Sequence, residues 1–244
     1  MHSMNKILYL LALVTFVSAV AGGLLAIKFQ RILQYFFAFS SGTLIAITFF
    51  DVLPQSWSIA NSIDLSQRTL MIATVAAFLL FSLLERFFLT HHHHEEEKHG
   101  HIMGPVGAIA LVIHSLLDGA AIGIAFHVNS SMGVIVTLAV MCHIFTDGTN
   151  IVVIMMKNEQ NVKKARAFLF IDALASVCGV LVSGLLTINQ SVLSVMLAAF
   201  AGQFLFLGVE NLLQGAHHHS AWKMVTSMIS GVLLILLLTS IMKI

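Results

Sequence analysis

The sequence predicts an all-α integral membrane protein, a bundle of eight transmembrane helices, and three observations carry that prediction. Of its 244 residues 58% are hydrophobic and 9% charged, with a mean hydropathy of +0.95, whereas soluble domains run at about 45–50% apolar and about 25% charged. Apolar runs long enough to cross a hydrocarbon core of about 30 Å recur eight times, at 7–27, 32–57, 69–89, 103–127, 132–156, 165–187, 191–216 and 222–242. The connections between them are mostly very short, so neighbouring helices form antiparallel hairpins in a single transmembrane domain over 1–244, with little room for a soluble one. A net charge of +1 leaves no large basic face, which argues against nucleic acid as a partner. No GxxxxGK[ST] loop is present, which argues against ATP-driven work.

Taken in order, span 1 follows Lys6 and contains Ala19-Val20-Ala21, the pattern of a cleavable signal. Its apolar run continues through Ile27, longer than a signal needs, and it is expected to remain as a span. Span 2 contains Gly42 and closes on Asp51-Val-Leu-Pro54-Gln55-Ser56. Span 3 leads into the single sizeable insertion, 90–102, where His91, His92, His93, His94, His99 and His101 lie among three glutamates. Its glycine and charge content predict a flexible loop, and its density of imidazoles and carboxylates suits metal capture. Spans 4 and 5 carry the most informative motif, treated below. Span 6 holds Asp172 and Ser176, and span 7 closes on Glu210-Asn-Leu-Leu-Gln214-Gly215. Cys142 and Cys178 fall inside spans and read as small packing residues, not as a disulfide framework.

Span 4 contains His114-Ser-Leu-Leu-Asp118-Gly119, and span 5 repeats the pattern 29 residues later as His143-Ile-Phe-Thr-Asp147-Gly148. Positions i and i+4 share one face of a helix, so each HxxxD sets an imidazole one turn from a carboxylate. Two such helices facing each other offer two nitrogens and two carboxylates to one point, a set suited to Zn2+ and also to Fe2+, Mn2+ or Cd2+. Ionisable side chains cost about 2.5–3.5 kcal/mol each at the centre of a membrane helix, so they persist mainly where they bind, pair or line a path. The plainer reading is a hydrogen-bond network holding the bundle together. Such bonds average only about 0.6 kcal/mol, and four ionisable groups at matched depth exceed that need. Because the ligands must be deprotonated, metal affinity is expected to fall at acidic pH.

Orientation follows from Lys and Arg, which favour cytoplasmic loops. With the N-terminus outside, Lys28, Arg31, Arg86, Lys98, Lys157, Lys163, Lys164, Arg166 and Lys223 fall inside, and Lys6, Arg68 and Lys243 outside. Both termini are therefore expected outside, with the 90–102 loop and His217-His218-His219 in the cytoplasm. Spans 2 and 7 each place an acid four residues before a glutamine, Asp51 before Gln55 and Glu210 before Gln214. Matching spans 1–3 to spans 6–8 around the paired spans 4 and 5 gives a 3+2+3 inverted repeat, the arrangement of many secondary transporters around a midplane site. His114 and His143 then sit near the bilayer centre, with Asp51 toward the outer face and Glu210 toward the inner one. Acid, central site, acid is a stepping sequence for a cation.

These residues resemble the ZIP (Zrt/Irt-like) family of divalent metal transporters along essentially the whole chain. The family has eight spans, outside termini and a histidine-rich cytoplasmic loop between spans 3 and 4. Its span 4 usually reads His-Asn-x-Pro-Glu-Gly and its span 5 is similar, matching the runs at His114 and His143. The resemblance implies Zn2+ as transported substrate, no organic cofactor, and a central site of His114, Asp118, His143 and Asp147. A second metal position would map to Ser115, Ile144 and Ser176, where Ile144 cannot ligate and Asp172, one turn before Ser176, could replace a missing glutamate. It also implies that spans 1, 4, 5 and 6 move against the others. The expected partners are a divalent ion and the lipid bilayer, with a homodimer left open, and the expected location is the plasma membrane, or the inner membrane of a bacterium. The competing readings are an intramembrane zinc hydrolase, which HExxH would have favoured and the sequence lacks, and a transport-inactive metal sensor, motivated by Ser115 and Ile144.

Overall fold

The structure is a computed structural model and describes residues 2–28, 30–90, 100–157, 160–215 and 221–242. Eight of its helices are long and apolar enough to cross a membrane. Span 1 is α1 (His2–Lys28), and span 2 is built from α2 (Gln30–Ile47), a π-helical turn (Thr48–Val52) and α3 (Leu53–Ser62). Spans 3 to 8 are α4 (Gln67–Thr90), α5 (Gly100–Val128), α6 (Ser130–Lys157), α7 (Val162–Leu185), α8 (Gln190–Gly215) and α9 (Ala221–Met242). Span 2 thus continues past its expected end at 57 to Ser62. Thr90 and residues 100–102, expected in the loop, are helical, so His101 belongs to the first turn of α5. Pro105 lies inside α5, in its second turn, where it has no N–H to give to the carbonyl four residues back. The tract 91–99, with His91, His92, His93, His94 and His99, lies outside the described residues.

Asparagines begin three of these helices. Asn129 is the only residue between α5 and α6, and its Oδ1 accepts from the Met132 amide at 2.8 Å. Asn161 does the same for Lys164 and Asn189 for Val192, each at 2.8 Å. Each cap satisfies an amide that no turn of helix precedes. The π turn has an equally local cause. Pro54 has no N–H, and its ring crowds the carbonyl four residues back, so the chain widens just before it and the Leu53 amide reaches the Thr48 carbonyl. Asp51 stands on that turn.

The first helix is apolar on every side, and there residue size rather than polarity decides which face turns inward. On α1 the buried positions are Ala12, Thr15, Ala19, Gly22, Gly23 and Ala26, all small, while Leu10, Leu13, Val17 and Leu24 point out. In a bilayer, water drives nothing between helices, and close backbone approach through small residues does instead. The tightest approaches come in related pairs. A Cβ added at Gly22 would meet the Phe145 carbonyl and one at Gly148 the Ala19 carbonyl, joining α1 to α6. A Cβ at Gly119 would meet the Ser176 carbonyl and one at Gly179 the Leu116 carbonyl, joining α5 to α7. Hydroxyls reinforce such crossings, Ser18 donating to Met141 O at 2.8 Å and Ser41 to Gly208 O at 2.6 Å.

The principal packing pairs are α1 with α6, α5 with α7, α2 with α9 and α4 with α8, together with the ligand-bearing neighbours α5 and α6. Exchanging spans 1, 2, 3 and 4 for spans 6, 7, 8 and 5 turns the first pair into the second and the third into the fourth, the relation the 3+2+3 repeat requires. The bundle accordingly divides in two: α1, α5, α6 and α7 pack among themselves, as do α2, α3, α4, α8 and α9. Between the two groups the main contact runs where α2 meets α6, with α8 touching α5 beside it.

Candidate metal centre

The seam between the groups holds the ionisable cluster. His114 stands midway along α5 and His143 midway along α6, and each has its aspartate one turn further on. One ligand atom from each of His114, Asp118, His143 and Asp147 lies within 4.8 Å of the other three. The two imidazole Nε2 atoms are 3.3 Å apart. Asp118 Oδ2 lies 3.5 Å from His114 Nε2 and 3.6 Å from His143 Nε2, and Asp147 Oδ2 lies 3.2 Å from His143 Nε2. A tetrahedral ion with bonds of about 2.0–2.1 Å has ligands about 3.3 Å apart; four of the six separations lie near that value, and the remaining two stay within 4.8 Å. Asp118, His143 and Asp147 are buried, and the His114 side chain is 11% exposed.

The four ligand atoms face one another, and the surrounding side chains bind the atoms on their far sides. Asp118 Oδ1 accepts from Gln203 Nε2 at 2.6 Å, while Asp118 Oδ2 and Asp147 Oδ2 have no hydrogen-bond partner. A buried carboxylate oxygen without a donor costs on the order of 1–3 kcal/mol or more, and a cation between the four residues would remove that cost. His143 Nδ1, on the far side of its ring, faces Asn211 Nδ2 at 3.1 Å and Thr146 Oγ1 at 3.4 Å. Asn211 Nδ2 also lies 3.3 Å from Ser40 Oγ.

The other expected residues are placed as follows. Ser115 is buried and donates to Asp172 Oδ1 at 2.5 Å, while Asp172 Oδ2 is buried without a partner. Asp172 interacts electrostatically with Asp147, Asp118 and His143, so it lies beside the cluster. Ser176 donates to the Ala173 carbonyl of its own helix at 3.0 Å. Ile144 is buried in the apolar core. Glu210 lies near enough to His143 to interact with it electrostatically, closer to the centre than its place late in span 7 suggests. Asp51 is buried apart from the cluster, both its oxygens 3.0 Å from the Thr239 hydroxyl of α9. The side chain of Gln214, like that of His101, lies outside the described residues. Sequence reasoning missed Gln203 and Asn211. Their signal was there: a carboxamide inside an apolar span needs a partner, and these two are eight residues, about two turns, apart on α8.

Fold and cluster together define a polytopic membrane protein with a His/Asp cluster at mid-bundle that could hold a divalent metal. Residues 90–242 match the family described as ZIP Zinc transporter, and the chain belongs to that family, one of transporters and not of enzymes. It is similar to "Zinc transporter ZIP10" of Danio rerio, with 28% identity over 107 residues, 43% of this chain and 13% of that protein. It is also similar to "Zinc transporter foi" of Drosophila melanogaster, with 29% identity over 131 residues, 52% of this chain and 19% of that protein. The chain therefore matches less than a fifth of the length of either relative.

Proposed function

We propose that this protein carries divalent transition-metal ions, Zn2+ first among them, into the cytoplasm by alternating access at His114, Asp118, His143 and Asp147. The observation that carries the reading is the set of four ligand atoms within 4.8 Å, two of them buried carboxylate oxygens that face only the imidazoles, in the seam of an eight-span bundle. Two imidazoles and two carboxylates offset the dehydration of a dication and leave the site neutral overall. All four ligands belong to the group α1, α5, α6 and α7, so movement of that group against the rest would carry the ion from one face to the other. Asp172, steered by Ser115, serves as an auxiliary carboxylate beside the site. Asp51 attracts the ion toward the outer end, and Glu210 with Gln214 receives it inward. The tract with His91, His92, His93, His94, His99 and His101 captures it in the cytoplasm. The termini face outward, and the membrane is the plasma membrane, or the inner membrane in a bacterium.

The test is initial-rate uptake into proteoliposomes loaded with a zinc-sensitive dye, comparing wild type with Asp118→Ala/Asp147→Ala and using Fe2+, Mn2+ and Cd2+ as competitors. Saturable uptake that disappears in the double variant is expected. Stoichiometric metal binding by folded wild type without uptake would sink the transport reading and leave the sensor in its place.

A further inference from the structure

The ligands stand on one helix group, yet the groups that orient two of them stand on the other. Gln203 and Asn211 both belong to α8. Gln203 Nε2 donates to Asp118 Oδ1 at 2.6 Å, which ties down one carboxylate oxygen and leaves Oδ2 to face the imidazoles. Asp118 is thereby set to bind through one oxygen.

The contact at His143 carries more information. A metal takes His143 Nε2 only through its lone pair, so the ring proton must then be on Nδ1, and that N–H needs an acceptor. Thr146 donates its single hydroxyl proton to the His143 carbonyl at 2.7 Å, so toward Nδ1 at 3.4 Å it can only accept. Asn211 lies nearer, with its amide nitrogen 3.1 Å from Nδ1. In that orientation Nδ1 accepts, and the neutral ring keeps its proton on Nε2, where it blocks the metal. A half-turn of the carboxamide about Cβ–Cγ brings the Asn211 oxygen to Nδ1 and frees Nε2. Ser40 Oγ, 3.3 Å from the same amide nitrogen, can accept in the first orientation and donate in the second, so neither leaves it unpaired.

We infer that Asn211 is a positioning residue whose carboxamide selects the His143 tautomer that binds metal, and that Gln203 is its counterpart for Asp118. The ligand set is then complete only while α8 faces it, and a shift between the helix groups weakens the hold on the ion. The inference rests on the proposed metal site and adds the residues that arm and disarm it.

The experiment measures Zn2+ affinity of the purified full chain in detergent, alongside dye-detected uptake, for wild type, Asn211→Leu, Asn211→Asp and Gln203→Met. Loss of an orienting partner lowers metal affinity about ten- to a hundredfold, the weakening expected of Asn211→Leu and Gln203→Met. Aspartate can only accept, so Asn211→Asp should bind at least as tightly as wild type. Nitrogen-15 NMR of His143 in the metal-free chain should find the Nδ1–H tautomer in Asn211→Asp and the Nε2–H tautomer in wild type. Equal weakening in Asn211→Leu and Asn211→Asp, or wild-type affinity in Asn211→Leu and Gln203→Met, would overturn the inference. Uptake by wild type with unchanged variants sinks this inference alone. The expected pattern of affinities without any uptake supports it and sinks only transport.

Discussion

At the scale of single residues, the site is a set of charges that the metal-free protein holds at a cost. Asp118 Oδ2 and Asp147 Oδ2 are buried side by side at His143, with an imidazole Nε2 as the one group among the described residues that could donate to either. Asparagine keeps the shape and removes the charge. Asp118→Asn/Asp147→Asn should therefore stabilise the metal-free protein by about 1–3 kcal/mol, a rise in melting temperature of roughly 2–12 °C for a chain of this size. Zn2+ should reverse the order. At a hundred times its dissociation constant it stabilises wild type by about 2.7 kcal/mol, whereas the double variant should not respond. Thermal unfolding in detergent with and without Zn2+ reads both effects, and a wild type that melts at the same temperature in each would contradict the assignment of ligands.

At the scale of elements, the glycine of each HxxxDG matters as much as its ligands. Gly119 lets α5 approach the Ser176 carbonyl of α7, and Gly148 lets α6 approach the Ala19 carbonyl of α1. Each stands next to an aspartate of the proposed metal site, so a methyl group there pushes its helix off its neighbour and shifts a carboxylate of the cluster with it. Gly119→Ala and Gly148→Ala should each destabilise by about 1–3 kcal/mol, the usual cost of overpacking, and weaken Zn2+ binding together. A variant that binds Zn2+ as wild type does would show that the crossing can widen without moving the site. Much of this was legible beforehand. Eight long apolar runs announce eight helices, and HxxxD at the same depth in two of them announces facing ligands. Asn211 and Gln203 were not placed, because on a helix apolar all round no hydrophobic stripe says which side faces inward. The π turn at Thr48–Val52 follows from Pro54, yet reading it needs the backbone path and not residue types alone.

At the scale of the whole molecule, the decisive question is whether the two helix groups move as bodies. Contacts of the same kind occur within and between them. Phe36 of α2 and Phe145 of α6 meet across the seam with ring centroids 4.9 Å apart, while Phe16 of α1 and Phe170 of α7 meet inside one group at 5.5 Å. Cysteine pairs at these positions, in a Cys142→Ser/Cys178→Ala background, allow each contact to be bridged by a short bifunctional thiol reagent. If the groups slide past one another to expose the site to each face, bridging Phe36→Cys/Phe145→Cys should abolish uptake by at least tenfold, and reduction should restore it. Bridging Phe16→Cys/Phe170→Cys should leave uptake within about twofold, because both residues travel together. Transport that survives the bridge across the seam would mean that the ion passes without relative motion of the groups. The Gln203 and Asn211 contacts would then be permanent features of the path, where sliding would break them once in every cycle.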